Sequence, residues 1–528
     1  MVKTPRATRG MVTTPHHLAS QSGLAQLRAG RSAIAAVVAA AATLAVVYPH
    51  MSGLGGDGFW LISEPGREPF GIQAAGRSGQ AVDTNLYERR GLSSIPARGP
   101  LAANTVAGTV DGWRRALEVN EEWGERADLE PLLEDAIFHA ENGAFVTRSQ
   151  EALTREGYDE LVDVPGFASA FLTSGQCPRQ GEKIKYPALG ETFRRLARHG
   201  LADFYQGRLA TEIAADLSTV GSPLTAGDLA DHSGAACDLL SVDLPGVRVF
   251  NHQPPTQGLA SLMILALMQR LEIPQADGFA HIHAAVEATK LAFSHRNRIG
   301  DPESMQIKPA ALLDRAYLDS LATRIDARKA QPWETYPAKG DTVWLGAIDG
   351  KGRAVSYIQS IYYDFGSGVV LPQTGILWQN RGVSFRLDGI GPRALEPRRF
   401  PFHTLNPAFA QFEDGRRLVY GTMGGDGQPQ TLAAIFSRYA MFGQGLQEAV
   451  SAPRWLLGRR WADEGASLKL EDGFSPQAVD ELRTAGHDVE LIESHSDLMG
   501  HAGAIVLHAD GLLEGAADPR SDGAVAAW

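Results

Sequence analysis

At Thr342 the spacing of apolar residues in this 528-residue chain changes from helical to strand-like, and that switch limits the fold more than any other feature. Upstream, from about Leu129 to Arg328, the segments LLEDAIFHAEN, TFRRLARHGL, ASLMILALMQRL and HIHAAVEATKLAFSHRNR carry apolar residues every three to four positions, the period of a helix with one buried face. Ser20–Arg28 has the same period, with Leu24, Ala25 and Leu27 on one side, and a turn at Gly30 leads into AIAAVVAAAATLAVV, Ala33 to Val47. That run falls short of the ~20 residues needed to cross a bilayer. It ends before Pro49 and is predicted to be a buried helix. Downstream of Thr342, TVWLGAID and AVSYIQSIYY are rich in β-branched and aromatic residues, and the turn at Gly350-Lys351-Gly352 joins them as a hairpin. RRLVYGTM and GAIVLHA supply further strands, and PHMSGLGGDGFWLI contains a glycine-rich turn into a short strand, Phe59 to Ile62. Strands beside a helix-rich first half predict a layered α/β fold, sheets covered by helices.

Composition narrows the function by exclusion. The net charge of −12 and a pI near 5.7 argue against nucleic acid or an anionic membrane as the main partner. Two cysteines, Cys177 and Cys237, without a CxxC pair or a Cys/His cluster, give no structural zinc motif and read as free thiols. The basic N-terminus has no apolar core directly behind it, so it does not read as a secretory signal, and a cytoplasmic location is the expectation. GLGGDG is not a phosphate loop, since no strand precedes it and no lysine follows in place; its glycines are expected to allow close backbone packing. His281, His283 and Glu287 share one helix, but no third ligand stands nearby in sequence, and no metal is expected there.

The chemistry concentrates at the switch itself. Lys329 to Asp341 holds two prolines and a glycine among polar residues and reads as an exposed loop that stops abruptly at Thr342. No GxSxG elbow is present to supply a serine nucleophile. A threonine at a loop-to-strand junction offers another route: once cleavage makes it N-terminal, its own α-amine, with an unperturbed pKa of roughly 7.7 to 8.0, becomes the base.

Several separated segments resemble the γ-glutamyltransferase family of N-terminal-nucleophile hydrolases. HHLASQSGLAQLRAG and YPHMSGLGGDGF resemble its opening; VAGTVDGW, FYQGRLA, PLTAGDLA and QPPTQG its middle; EATKLAFSHRNRIGDP the helix before its processing loop. DFGSGVVLPQTGIL, TLNP, MGGDG, DGFSPQAVDELRTAGHDVE and ADPRSDG resemble its C-terminal part, all in the family's order. The resemblance implies an αββα sandwich, two stacked sheets covered by helices, built from two subunits of one precursor. It implies cleavage between Asp341 and Thr342, giving a large subunit of residues 1–341 and a small subunit of residues 342–528 that together form one catalytic domain. By the same resemblance Thr342 is the nucleophile, Ser360 the hydroxyl that steadies it, and the N–H groups of Gly424 and Gly425 the oxyanion hole. No metal or organic cofactor is implied. The expected partners are a small-molecule amide and the protein's own two subunits, and a dimer of the processed heterodimer is allowed.

Departures from the transferase pattern fall on the substrate side. Val343 and Trp344 follow the nucleophile where the transferases have a Thr-His pair. The position of their carboxylate-binding arginine aligns with Ala75, with Arg77 two residues on, and their amine-binding acid aligns with Ser384. Arg381 replaces a Gln, Tyr362 an Asn, and His403 and Thr404 a pair of serines. The pocket for an α-amino acid head group is thus dismantled, and Arg381 beside Asn380 stands in its place as a fork for a carboxylate. DTVW, SIYYDFGSGVV and WQNRG resemble the branch of the family that contains oxamate amidohydrolase, which implies hydrolysis of the amide of a small carboxylate, with a Thr acyl-enzyme and release of ammonia. The alternatives are a transferase or glutathione hydrolase with a rewired pocket, a β-lactam acylase with an apolar pocket lined by Trp344, Tyr362 and Trp378, and an uncleaved binding protein on the same scaffold.

Overall fold

The computed structural model describes residues 3–333, 341–458 and 467–528. Two seven-stranded sheets lie face to face. The first runs, in spatial order, through the strands Ala524–Ala527, Gly10–Thr14, Asp341–Asp349, Ala354–Tyr362, Asp57–Ser63, Phe70–Ala74 and Ala235–Cys237. The second runs through Arg6–Ala7, Leu513–Ala517, Ala502–Leu507, Arg417–Thr422, Ala408–Phe412, Val247–Asn251 and Leu240–Leu244. Helices cover both outer faces, so the molecule is the expected αββα sandwich. The first sheet mixes strands from both sides of Thr342: the Asp341–Asp349 strand pairs with Ala354–Tyr362 on one side and with Gly10–Thr14 on the other.

The helical layer on the first sheet is anchored by the alanine-rich helix Ala33–Val47, every residue of which is buried. Its start is fixed by Ser32, whose side chain accepts from the Ala35 N–H, and it stops at Tyr48, before Pro49. Small side chains let the neighbouring helix His17–Arg28 approach so closely that a Cβ on Gly23 would meet the Ala36 carbonyl at 3.0 Å. On the second sheet the helices Gly258–Met268, Phe279–Phe293 and Gln428–Phe436 form the outer layer. No described helix is long and apolar enough to cross a membrane. The loop assigned to residues 329–341 falls outside the described residues over 334–340.

One prediction of the sequence needs correction. The helix-rich stretch is interrupted by the strands Ala235–Cys237 and Leu240–Leu244, which are edges of the two sheets, and by Val247–Asn251, which lies next to the edge of the second. The alternation L-S-V-D-L and V-R-V-F around Pro245-Gly246 is a hairpin signal of period two, short enough to be lost between long helices.

Between the sheets lies a separate apolar layer of Met11, Phe59, Leu61, Trp344, Ile348, Ile358, Phe409, Val419 and Ile505. Trp344 is its widest member and sits in a cradle of glycines. A Cβ on Gly421 would lie 1.9 Å from its Cδ1, one on Gly503 2.5 Å from its Cζ3, and one on Gly346 2.8 Å from its Cη2. The indole N–H donates to Ser356 Oγ at 2.9 Å. Trp344, two residues after Thr342, thus locks the first sheet onto the second. Gly421→Ala should overpack this layer and cost about 1–3 kcal/mol. Thermal unfolding should show the loss, and Trp344→Leu in the same chain should recover part of it; an unchanged midpoint in the single variant would place the indole elsewhere.

Candidate active site

Thr342 is buried and stands at the first turn-out of a central strand. Across the hairpin, Asp341 pairs with Tyr362 and Val343 with Gln359, so Thr342 faces two residues, Ser360 and Ile361, over a bulge. A bulge re-aims one side chain without breaking the sheet. Here the Thr342 hydroxyl donates to Ser360 Oγ at 3.1 Å, and Ser360 Oγ also accepts the Tyr362 N–H at 2.8 Å. Tyr362 has φ +81°, a left-handed conformation that ends the strand and turns the chain away. The sheet is held close on the other side of Ser360 as well: a Cβ on Gly56 would lie 2.2 Å from the Ser360 carbonyl oxygen. The tight-packing role expected for the glycines of GLGGDG is the one they have.

The Gly424-Gly425 pair follows the second-sheet strand Arg417–Thr422 and precedes the helix Gln428–Phe436. Both residues have positive φ, +117° and +52°, and successive turns of this kind gather backbone N–H groups into one concavity. The helix that follows adds the positive end of its dipole. Gln257 ties the pair to the rest of the chamber, its amide N–H₂ donating to the Gly425 and Thr404 carbonyls, both at 2.8 Å.

Arg381 is the dominant charge. It opens the short 3-10 turn Arg381–Ser384, and that turn is held from several sides. Asn380 accepts the Tyr363 N–H at 3.1 Å and donates to the Ala97 carbonyl at 2.8 Å; Ser384 Oγ donates to the Arg381 carbonyl at 3.0 Å. Asn380 and Ser384 are therefore committed to backbone and set the position of Arg381. The guanidinium itself is 0% exposed and lies 3.7 Å over the Tyr362 ring. None of its three nitrogens has a hydrogen-bond partner among the described residues. Burial pulls its pKa down to about 10, against the opposing pull of Tyr362, Asp57, Tyr363 and Asp426.

Around it are further polar atoms without partners: both ring nitrogens of His403, Thr404 Oγ1, and one carboxylate oxygen each of Asp57 and Asp426. Burial, then Arg381, push the His403 imidazole well below its usual range, so it is neutral. Burial raises Asp57 to about 7 in spite of the Gly76 N–H and Arg381. Asp426 is also raised by burial, and it pairs with Arg296. Among the described residues Arg381 is thus a buried cation without a hydrogen bond beside a neutral His403, an arrangement that costs free energy unless something satisfies it.

Asp57 is the site residue that sequence reasoning did not single out. Its only signal was a carboxylate inside a glycine run at the head of an apolar strand. Arg77, considered as a substitute carboxylate ligand, does not join this group. It donates to the Arg398 carbonyl and to Glu303, lies over Phe400, and lines an outer cleft of about 330 Å³ that Ala75 and His232 also border. Trp344 and Trp378, candidates for an apolar pocket, belong to the core: Trp378 is buried and donates to the Thr105 carbonyl at 3.0 Å. His283 and Glu287 gain a third neighbour, His487, which lies 204 residues away in sequence. These groups are already engaged: His283 with His487 and the Asp326 carbonyl, Glu287 with Lys290 and the Gln331 N–H.

Comparison with known proteins matches residues 19–528 to the gamma-glutamyltranspeptidase family. The oxamate amidohydrolase proenzyme of Klebsiella pneumoniae is 51% identical over 99% of both chains. A glutathione hydrolase-like proenzyme of Bacillus subtilis is 40% identical, again over 99% of both. Among solved structures, the cephalosporin acylase from Bacillus halodurans superposes with a TM-score of 0.91 at 31% identity, covering 100% of this chain and 97% of that one.

A buried guanidinium without a hydrogen bond among the described residues weakens the fold. Replacing buried charge by an apolar side chain of similar length commonly stabilises by about 1–4 kcal/mol. Arg381→Met should therefore raise the free energy of unfolding in denaturant titrations, with Asp57 staying protonated to higher pH. A loss of stability instead would mean that the guanidinium is paired.

Proposed function

Because this chain belongs to the gamma-glutamyltranspeptidase family, we propose that it is a self-processing N-terminal threonine amidohydrolase acting on the amide of a small carboxylate, of which oxamate is the model. The observation that carries this reading is Arg381, fully buried, stacked on Tyr362 and without a hydrogen bond. A carboxylate can take two parallel hydrogen bonds from a guanidinium fork, and no other group supplies them here among the described residues. The 51% identity to an oxamate amidohydrolase proenzyme supports the same substrate class.

Maturation comes first. The Thr342 hydroxyl, held by Ser360, attacks the carbonyl of Asp341; the peptide C–N bond breaks, an ester forms, and water hydrolyses it to leave a free α-amine on Thr342. In turnover that amine takes the hydroxyl proton as Oγ1 attacks the substrate amide. The N–H groups of Gly424 and Gly425 hold the oxyanion, and loss of one such donor typically costs roughly 3 to 4 kcal/mol of the barrier. The amine then passes the proton to the departing nitrogen, ammonia leaves, and water releases the acid from Thr342. Arg381 holds the substrate carboxylate throughout, with His403 and Thr404 completing the chamber wall.

Of the three aromatic residues considered for an acylase pocket, Trp344 and Trp378 pack in the core and Tyr362 lies under Arg381; a β-lactam acylase is a second rival, since the cephalosporin acylase from Bacillus halodurans shares the fold. A rewired glutathione hydrolase stays the first rival to test. Active protein on a denaturing gel should give two pieces, the smaller running from Thr342 to Trp528, and Thr342→Ala should stay one band. Processed enzyme should release ammonia from oxamate and turn over a γ-glutamyl anilide at least about a hundredfold more slowly, the discrimination a site with dedicated polar contacts provides. Arg381→Met should mature and lose oxamate hydrolysis. The reverse preference, or full activity in Arg381→Met, would remove the carboxylate reading; cleavage at residue 342 in Thr342→Ala would remove self-processing.

A further inference from the structure

Asp57 presents one satisfied and one unsatisfied oxygen. Its Oδ1 accepts the Gly76 N–H at 2.8 Å and the Gly108 N–H at 3.1 Å, while Oδ2 has no hydrogen-bond partner in range among the described residues, although the Gln379 side chain also lowers the carboxyl's pKa. The His403 Nε2 stands 3.7 Å from Oδ2, beyond hydrogen-bond range. In the strand pairing Asp57 is directly opposite Ser360. Phe59 and Ile358, two residues along on each strand, point into the layer between the sheets. Side chains alternate along a strand, so Asp57 and Ser360 also project from that face. Ser360 in turn touches the Thr342 hydroxyl. The Asp57 carboxyl therefore shares a sheet face with Ser360, the residue that holds the Thr342 hydroxyl, and its Oδ2 has His403 beside it.

The two unsatisfied groups are opposite in sense. Arg381 offers only N–H donors; the ionised Asp57 Oδ2 offers only an acceptor. A ligand that satisfies both carries an acceptor at one end and a donor at the other, with its reacting carbonyl between them. A carboxylate answers Arg381, and an amide N–H answers Asp57.

We propose that Asp57 is a specificity-determining residue: its Oδ2 accepts an N–H of the substrate's amide nitrogen, so that the site selects an unsubstituted amide whose carbonyl adjoins a carboxylate. This rests on Arg381 as the carboxylate receptor. It adds the reason why an amide is preferred over an ester or a ketone of the same shape. The roles of the two oxygens separate cleanly. Oδ1 holds backbone, and Asp57→Asn can keep that acceptor. Oδ2 becomes an NH₂ group in the variant and meets the substrate N–H with another N–H.

The test compares kcat/KM of wild type and Asp57→Asn on oxamate and on monoethyl oxalate, at a pH well above the value of about 7 to which burial pushes Asp57. Both compounds carry a carboxylate next to the reacting carbonyl, but only oxamate has an N–H. Asp57→Asn should mature into two pieces, lose at least about a hundredfold on oxamate, as expected when a site's polar contact is mismatched, and stay within about threefold on the ester. Equal losses on both compounds, or undiminished oxamate hydrolysis, would overturn the role of Asp57 while leaving Arg381 in place. Wild type inactive on both compounds would instead defeat the carboxylate reading, and this inference with it. Should Asp57→Asn fail to mature, wild type alone decides: pyruvate, which has a methyl group where oxamate has NH₂, should bind at least about tenfold more weakly than oxamate, the worth of one lost hydrogen bond. Pyruvate binding as tightly as oxamate would show that Oδ2 makes no such contact.

Discussion

Everything in this molecule turns on the pairing of two neighbouring strands, Asp341–Asp349 and Ala354–Tyr362. Their register carries two demands at once. Beyond the bulge it must be regular, because Trp344, Ile348 and Ile358 have to meet the second sheet in the layer between the two. At the bulge it must be irregular, because only there does Thr342 face Ser360. A slip of one residue would send the tryptophan to the helical side and Thr342 away from Ser360, since side chains alternate with a period of two. Core packing and chemistry are thus fixed by the same hydrogen-bond ladder. The glycine cradle of Trp344 enforces the register from the second sheet, where Gly421 and Gly503 admit the indole and a larger residue would not.

The second theme is stability traded for a receptive site. Arg381, His403, Thr404, Asp57 and Asp426 together hold polar atoms that the described protein leaves unsatisfied. Each is held in place by contacts that serve only that purpose: Asn380 and Ser384 for Arg381, Gln257 for Thr404 and Gly425, Gly76 and Gly108 for Asp57. Polar groups fixed in this way need no reorganisation to act on a charge, which is where electrostatic selectivity comes from in low-dielectric sites. The surrounding αββα core, with its large buried layers on both sheets, is what can carry that cost.

How far the sequence discloses this varies with distance along the chain. The helix Ala33–Val47 and the hairpin after Thr342 were legible to within a residue or two, because each is set by a local pattern of apolar residues and a turn. The strands Leu240–Leu244 and Val247–Asn251 were not, since a five-residue alternation between long helices has little local weight. Arg381 could be singled out by comparison with a family pattern, but its lack of partners could not. Asp57 was invisible as a site residue. Its significance comes from Gly76, Gly108, Ser360 and His403, which converge on it only through sheet register and loop closure. His487 beside His283 is a case of the same kind. Local pattern reveals elements; unsatisfied atoms become visible only when the fold has brought distant residues together.

The sheet order also bears on how a chain could open its own backbone before residue 342 and keep its shape. The strand that begins there is flanked by Gly10–Thr14 from the upstream part and by Ala354–Tyr362 from the downstream part. Ala524–Ala527, from the far end of the sequence, pairs with the other side of Gly10–Thr14. In the second sheet Ala408–Phe412 lies between Val247–Asn251 and Arg417–Thr422. Each part of the chain supplies strands whose hydrogen-bond partners belong to the other, so neither has a closed sheet or a covered apolar face of its own. Separating them would expose both the ladder and the inter-sheet layer, a cost far above that of opening one peptide bond at the start of a strand. On the proposed self-processing, interdigitation would let an N-terminal amine be created at the centre of a finished fold, where its position is already set by neighbours on both sides.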